Sequence, residues 1–409
     1  MHPSTSPSRI AAWSLLFIAS LFYAYQYILR VMPNIMLSDI TEQFNMGAAT
    51  FGQFSGIYYI GYSLMHLPVG IMLDRYGPKK VMSGAILLSV AGLTPLIFAS
   101  HWAYPIAGRL LIGVGSSAAI LGVFKIIRMS FEEKLFPKML SIAVTIGLIG
   151  AVYGGGPVSY MRELLGYQAV VQAIALVGIL LALATYLMIP RLKEPAKAPL
   201  LANIKEVVSN KKVIYICLFA GLMVGPLEGF ADVWATLFLK QAKGFNANLA
   251  ATMPSMIFIG MCFGSPILNF IADKTKSYLG TIVGAGITMA LFFLLLLASS
   301  FSSFIVSASF ILIGVCCSYQ ILAIYKASTY VREEVAGLTT AMANMIIMLF
   351  GYLFHALIGS TVNAMGGLDA PYALEAGIAV IPFALFLGTV GFIWISLTEK
   401  KLQPAVYQN

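Results

Sequence analysis

Two arginines sit where a lipid-spanning segment penalises charge. Arg30 falls inside the apolar run FYAYQYILRVMP (22–33), and Arg109 inside AYPIAGRLLIGVG (103–115). A third apolar run, GPLEGFADVW (225–234), carries Glu228 and Asp232 four residues apart, and His355 lies in a fourth. Ionisable groups at bilayer depth are costly, so each is a functional candidate. A guanidinium offers a planar fork of donors that matches a carboxylate. A buried Glu or Asp holds an amino group or exchanges a proton, and a histidine titrates near neutral pH. The chemistry expected is recognition of a carboxylate-bearing solute by Arg30 and Arg109, with Gln26 and Tyr27 within one turn of Arg30 and with Glu228 and Asp232 as further contacts. Glu228, Asp232 and His355 are the candidates for coupling a proton. The competing reading is an internal salt-bridge network that only holds helices together. The two are compatible if bridges exchange.

The elements that must position these groups follow from composition. The chain has 409 residues, 59% hydrophobic and 10% charged, with mean hydropathy +0.88. A soluble chain carries about 25% charged residues, so lipid is the solvent for most of this one. Apolar runs of spanning length predict helices over 10–37, 49–73, 80–100, 103–129, 138–162 and 168–190. A second set covers 212–239, 248–272, 278–300, 303–327, 335–361 and 372–397. Arg9 precedes an apolar run too long for a signal-peptide core, which fits a first span.

Basic residues alternate between connections. Arg9, Arg75, Lys79, Lys80, Lys134, Lys138, Arg191, Lys193, Lys197, Lys205, Lys211, Lys212, Lys274, Lys276, Arg332, Lys400 and Lys401 fall in one set of connections and ends, against Arg162, Lys240 and Lys243 in the other. By the positive-inside rule both termini are expected in the cytoplasm. The net charge of +9 therefore reflects cytoplasmic loops, and no nucleic-acid partner is expected. On helix depth, Arg30, Arg109 and the Glu228–Asp232 turn fall on the outer side of their spans, Arg30 and Arg109 roughly 10 Å from the midpoints. Residues from three helices are thus expected to meet in one water-filled cavity.

The polar stretch 191–211 divides the spans into six and six. Weak internal similarity accompanies the division. FNMGAAT (44–50) recurs as FNANLAAT (245–252), and Asp74 has an echo in Asp273. Phe124-Lys125 recurs as Tyr325-Lys326. Offsets of 199–201 suggest a duplicated six-helix unit, with boundaries expected at 1–190, 191–211 as a cytoplasmic linker, and 212–409. The offset places Arg30 opposite Ala231, on the Glu228–Asp232 turn.

GIMLDRYGPKK (70–80), between the second and third spans, resembles the loop 2–3 signature of the major facilitator superfamily. GRLLIGVG (108–115) resembles that family's fourth-helix motif. GAVYGGGP (150–157) resembles its fifth-helix glycine–proline motif, without the trailing glycine pair. The resemblance covers nearly the whole chain. It implies an all-α membrane protein of twelve transmembrane helices in two pseudo-symmetric six-helix bundles, a secondary transporter that works by alternating access. The function classes it implies are proton-coupled symport of an amino acid, peptide or organic anion, with a proton-driven exporter of drugs or metabolites as the alternative and an ion channel as a lesser one. A monomer in a bacterial inner membrane is implied.

Two branches share further features. The spacing of Arg30 to Asp74 and the fourth-span Arg109 resemble the anion:cation symporters. Where that branch has a Glu seven residues after the fourth-helix Arg, this chain has Ser116, and Leu29 stands where an acidic residue usually precedes the first Arg. The run 22–33 resembles nutrient importers of intracellular bacteria. The signature also implies gating by Asp74 and Arg75 at the cytoplasmic end of the second span. Lys125 and Lys326, repeat mates toward the cytoplasm, are expected to snorkel to headgroups, with an inner gate as the other reading.

Gly147, Gly150 and Gly154 have the spacing of close helix packing. His66 reads as a packed histidine. Tyr23, Tyr58, Tyr59, Gln320 and Asn344 supply polar tips within spans. Cys217, Cys262, Cys316 and Cys317 lie in apolar runs without disulfide or metal-ligand spacing, so they read as packing residues. No nucleotide-binding loop, dinucleotide fingerprint or nucleophile elbow is present, so no enzyme, cofactor or metal is expected.

Overall fold

The structure is a computed structural model and describes residues 9–190 and 200–402. Twelve helices in it are long and apolar enough to cross a membrane. They are α1 (Arg9–Gln43), α2 (Ala48–Tyr76), α3 (Pro78–Phe98), α4 (Ala103–Ser130), α5 (Lys138–Leu165), α6 (Tyr167–Met188), α7 (Lys211–Gln241), α8 (Ala247–Thr275), α9 (Tyr278–Ala298), α10 (Ser303–Ser328), α11 (Val335–Ala364) and α12 (Ala373–Glu399). Each overlaps one of the expected runs, and the ends differ by a few residues. Between α6 and α7 a short helix, Leu200–Ser209, occupies part of the expected linker. Linker residues 191–199, with Arg191, Lys193 and Lys197, lie outside the described residues.

The chain falls into two compact units. One contains the described residues of Met1–Met46 and Ile57–Ala198, the other those of Gly47–Gly56 and Pro199–Asn409. The first turns of α2 thus belong to the second unit.

Within each unit the same packing device recurs. In the first, α2 crosses α4 at Gly61 and Gly113, where an added Cβ would overlap the carbonyl oxygens of Leu110 and Tyr58. In the second, α8 crosses α10 at Gly260 and Gly314, against the carbonyls of Ile311 and Ile257. Backbones approach this closely only where no side chain intervenes. Gly147 and Gly150 of α5 lie in the same way against Tyr23 and the Ala24 carbonyl of α1, which is the packing role their spacing implies.

Several spans depart from regular α-helix. Pro33, Pro68, Pro95, Pro266 and Pro382 interrupt α1, α2, α3, α8 and α12. A proline cannot donate to the carbonyl four residues earlier. The run 212–239, expected as one helix, is instead an α-helix over Lys211–Leu222, a π-helix over Gly225–Trp234 and an α-helix over Ala235–Gln241. The repeat offset of 201 maps that π segment onto residues 24–33, which end at Pro33. Regular helical bonding is therefore broken at matching repeat positions, by a proline in one unit and a π-helix in the other.

Asn210 starts α7. Its side chain accepts from the amides of Lys212 and Val213, and its amide nitrogen donates to the Tyr330 carbonyl at 2.8 Å. Arg332 holds Glu206 of the short helix through two bonds, 3.3 and 2.6 Å. The connecting helix is in this way fastened to the α10–α11 loop of its own unit. Among the described residues all four cysteines are free, and Cys217, Cys316 and Cys317 are buried among helices.

Candidate functional site

In the first unit Arg30 and Arg109 come together. Both are buried, Arg30 at 6% exposure and Arg109 at 1%. The fourth-helix arginine reaches the first helix through its backbone: Nη1 of Arg109 donates to the Leu29 carbonyl at 2.5 Å and Nη2 to the Arg30 carbonyl at 2.8 Å. Leu29 is the residue whose carbonyl Pro33 leaves without its i+4 amide. Arg109 thus supplies a donor that the proline removes, in low-dielectric surroundings where an unmet carbonyl costs about 1–3 kcal/mol. Its expected role was direct solute contact alongside Arg30. The geometry gives these two Nη groups the separate task of fixing the turn that carries Arg30.

Aromatic rings surround both guanidiniums. The Arg30 Cζ lies over the rings of Tyr27 at 5.2 Å and Tyr59 at 5.4 Å, and the Arg109 Cζ over Tyr58 at 4.8 Å. Such cation–π contacts are worth more when water is excluded. The phenol of Tyr58 is held by the amide nitrogen of Gln26 at 2.6 Å. Tyr23 packs edge-on to Tyr27, and Tyr58 stacks on Tyr62. The next turn of α2 brings His66, 4% exposed, with Nδ1 3.3 Å from the Tyr62 carbonyl oxygen. Sequence reasoning named Gln26, Tyr27, Tyr58 and Tyr59 but missed Tyr62. Its signal was available, since 58 and 62 share a helical face.

The second unit buries the opposite sign. Glu228 and Asp232, 1% and 0% exposed, both lie on the π-helical segment of α7. A π-helix is rare and frequent at functional positions. The first unit buries two guanidiniums and, among its described residues, no Asp or Glu. The second buries these two carboxylates and, among its described residues, no Lys or Arg. Trp234, at the end of the segment, meets Phe51 edge-on at 5.8 Å. His355 of α11 is fully buried, and Gly52 and Gly56 in the first turns of α2 lie against its backbone and Cβ. Gln320 lies on α10 and Asn344 on α11 of this unit.

At the opposite ends of the spans, Lys125 pairs with Asp74 at 3.1 Å and Lys326 with Glu399 at 3.2 Å. Both lysine side chains are largely covered, 13% and 22% exposed, and each ion pair lies inside its own unit. Each lysine has a carboxylate of its own unit within reach, which a headgroup would have to displace. Arg75 lies over the Tyr76 ring at 5.4 Å. Asp39 of α1 and Arg162 of α5 form a two-bond pair, 2.5 and 3.0 Å, near the other end of the unit.

The sequence pattern of the Major Facilitator Superfamily matches residues 15–355. The chain belongs to that superfamily. It is a transmembrane transporter and not an enzyme. The nitrite extrusion protein of Bacillus subtilis (strain 168) is 21% identical over 395 residues, covering 94% of each chain. The transporter of Escherichia coli (strain K12) named for 3-(3-hydroxy-phenyl)propionate is 24% identical over 397 residues, covering 92% of this chain and 95% of its own. The crystal structure of the nucleoside transporter NupG superposes with a TM-score of 0.73 at 14% identity, covering 94% and 99%. That likeness speaks to the fold. In this superfamily member the segment 70–80, with Asp74 and Arg75, joins α2 to α3, and the glycines of the other two motifs lie on α4 and α5.

Proposed function

We propose that this transporter moves a small carboxylate-bearing solute, an amino acid, peptide fragment or organic anion, by alternating access coupled to protons. Arg30 anchors the carboxylate. Arg109 holds the Arg30 turn in register, and Gln26 and Tyr27 complete the first unit's contribution. Glu228 and Asp232 carry the coupling proton or receive a solute amino group, with His355 as the further proton carrier. Asp74, Arg75, Lys125 and Lys326 serve the gate at the end with the basic loops. The protein works as a monomer in the cytoplasmic membrane of a bacterium, with both termini in the cytoplasm.

The observation that carries this reading is Arg30 itself. It is a buried guanidinium among phenol rings, on a turn braced by a second arginine. Its planar fork of donors matches the two oxygens of a carboxylate and has no such match in a neutral amide. A thermal-shift comparison tests it. Purified protein is stabilised by carboxylates and not by the matching primary amides, and Arg30→Ala loses the carboxylate response. An equal response to acid and amide would refute the anchor. The relative named for nitrite extrusion favours a second reading, in which the same anion site serves a proton-driven exporter. Transport in proteoliposomes of known orientation, with the proton gradient imposed in either sense, separates the two.

A further inference from the structure

Gln26 stands one turn before Arg30 on α1, so the two side chains share a face with Cβ atoms about 5–6 Å apart. It is 1% exposed. A buried primary amide has two ends to satisfy. The nitrogen end is fixed at 2.6 Å on the Tyr58 hydroxyl. Tyr58 is itself fixed, because its ring receives the Arg109 guanidinium at 4.8 Å and stacks on Tyr62. The Gln26 amide therefore cannot turn freely, and its carbonyl oxygen is aimed by that bond. Among the described residues no donor meets this oxygen, and it is not one of the sealed polar atoms lacking a partner.

We propose that the Gln26 carbonyl oxygen is the second recognition point of the Arg30 site, and that it selects carboxylates bearing an O–H or N–H donor about one helical turn from the carboxyl group. The inference rests on the reading of Arg30 as carboxylate anchor and adds the second half of the solute. The rings of Tyr27 and Tyr59 beside Arg30 give the site flat walls, which suit a planar or slender body between the two polar ends. A solute lacking the donor leaves the Gln26 oxygen desolvated and unmet, and sites built this way reject such analogues strongly.

The test is a binding comparison on the full-length purified protein with matched probes. These are para-hydroxybenzoate and para-aminobenzoate against benzoate, and gamma-hydroxybutyrate against butyrate. The donor-bearing member of each pair binds about 10–100-fold more tightly to the wild type. In Gln26→Leu the ratio falls to within about twofold of one. Tyr58→Phe, which keeps the ring and removes the hydroxyl that aims the amide, lowers the ratio as well. A ratio near one in the wild type, or a preference that survives Gln26→Leu, overturns the role of Gln26 while leaving the anchor in place. If no carboxylate in the panel binds, the Arg30 reading itself falls, and this inference with it. The melting temperature of each unliganded variant reports whether it is folded, and the ratio within a pair is insensitive to a uniform loss of stability.

Discussion

Arg109 Nη1 lies 2.5 Å from the carbonyl oxygen of Leu29, the acceptor that Pro33 deprives of its amide. A side chain from α4 thereby repairs the backbone of α1 one residue from the proposed anchor. The relationship predicts non-additivity. Arg109→Ala should destabilise the purified protein by about 1–3 kcal/mol, because a buried carbonyl is stranded. Pro33→Ala restores an amide at that position and should recover much of the loss when the two are combined. A double-mutant cycle by thermal unfolding in one detergent checks this. Strict additivity would show that the arginine acts elsewhere.

The glycine crossing of α2 and α4 predicts a sharp contrast. Gly113→Ala places a methyl on the Tyr58 carbonyl, with backbone on both sides and nothing flexible to yield. Overpacking of this kind costs about 1–3 kcal/mol or more, and Tyr58 is displaced with it. Gly84→Ala on α3 meets nothing within 4 Å. It should be neutral or raise stability by about 0.5–1 kcal/mol. Expression and melting of the two variants side by side measure the difference. Equal tolerance would contradict the crossing.

The fastening of the connecting helix carries a pH sign. The Arg332 hydrogen bonds hold the Glu206 carboxyl below its ordinary range. A carboxyl lowered on folding stabilises the folded contact above its unfolded value and loses that contribution as pH falls through the lowered value. Protection of residues 200–209 against amide exchange should therefore stay level from neutral pH through the ordinary carboxylate range and decline only below it. Glu206→Gln should lower protection already at neutral pH and remove the acid transition. Protection in Glu206→Gln equal to the wild type would dismiss the contact.

Neutralising both carboxylates of the π segment, Glu228→Gln with Asp232→Asn, should abolish the dependence of uptake on an imposed proton gradient while leaving counterflow of solute. Retained gradient response would move coupling to His355 or elsewhere.

How much of this was legible beforehand differs residue by residue. Twelve spans and the close packing of the α5 glycines follow from apolar run length and small-residue spacing, both local properties. The Gly61–Gly113 crossing returns at Gly260 and Gly314, offsets of 199 and 201 residues that agree with the repeat read from other positions. The π segment did not announce itself, because a change of hydrogen-bond register needs no change of composition. Arg30 and Arg109 were visible as charges in lipid. The bonds from Arg109 to the Leu29 and Arg30 carbonyls were not, since they depend on how α4 is rotated against α1 and on which carbonyl Pro33 frees. Lys125 and Lys326 read as snorkelling groups because their partners, Asp74 and Glu399, lie on other helices.

The anchor at Arg30 is tested most directly by solute counterflow in proteoliposomes, using a carboxylate that stabilises the wild type and comparing Arg30→Ala with Arg30→Lys. The account predicts that Arg30→Ala reconstitutes at normal levels yet exchanges no solute, a loss of about 100-fold or more, and that Arg30→Lys, which keeps the charge but not the fork, recovers only part. Counterflow by Arg30→Ala at the wild-type rate would contradict it.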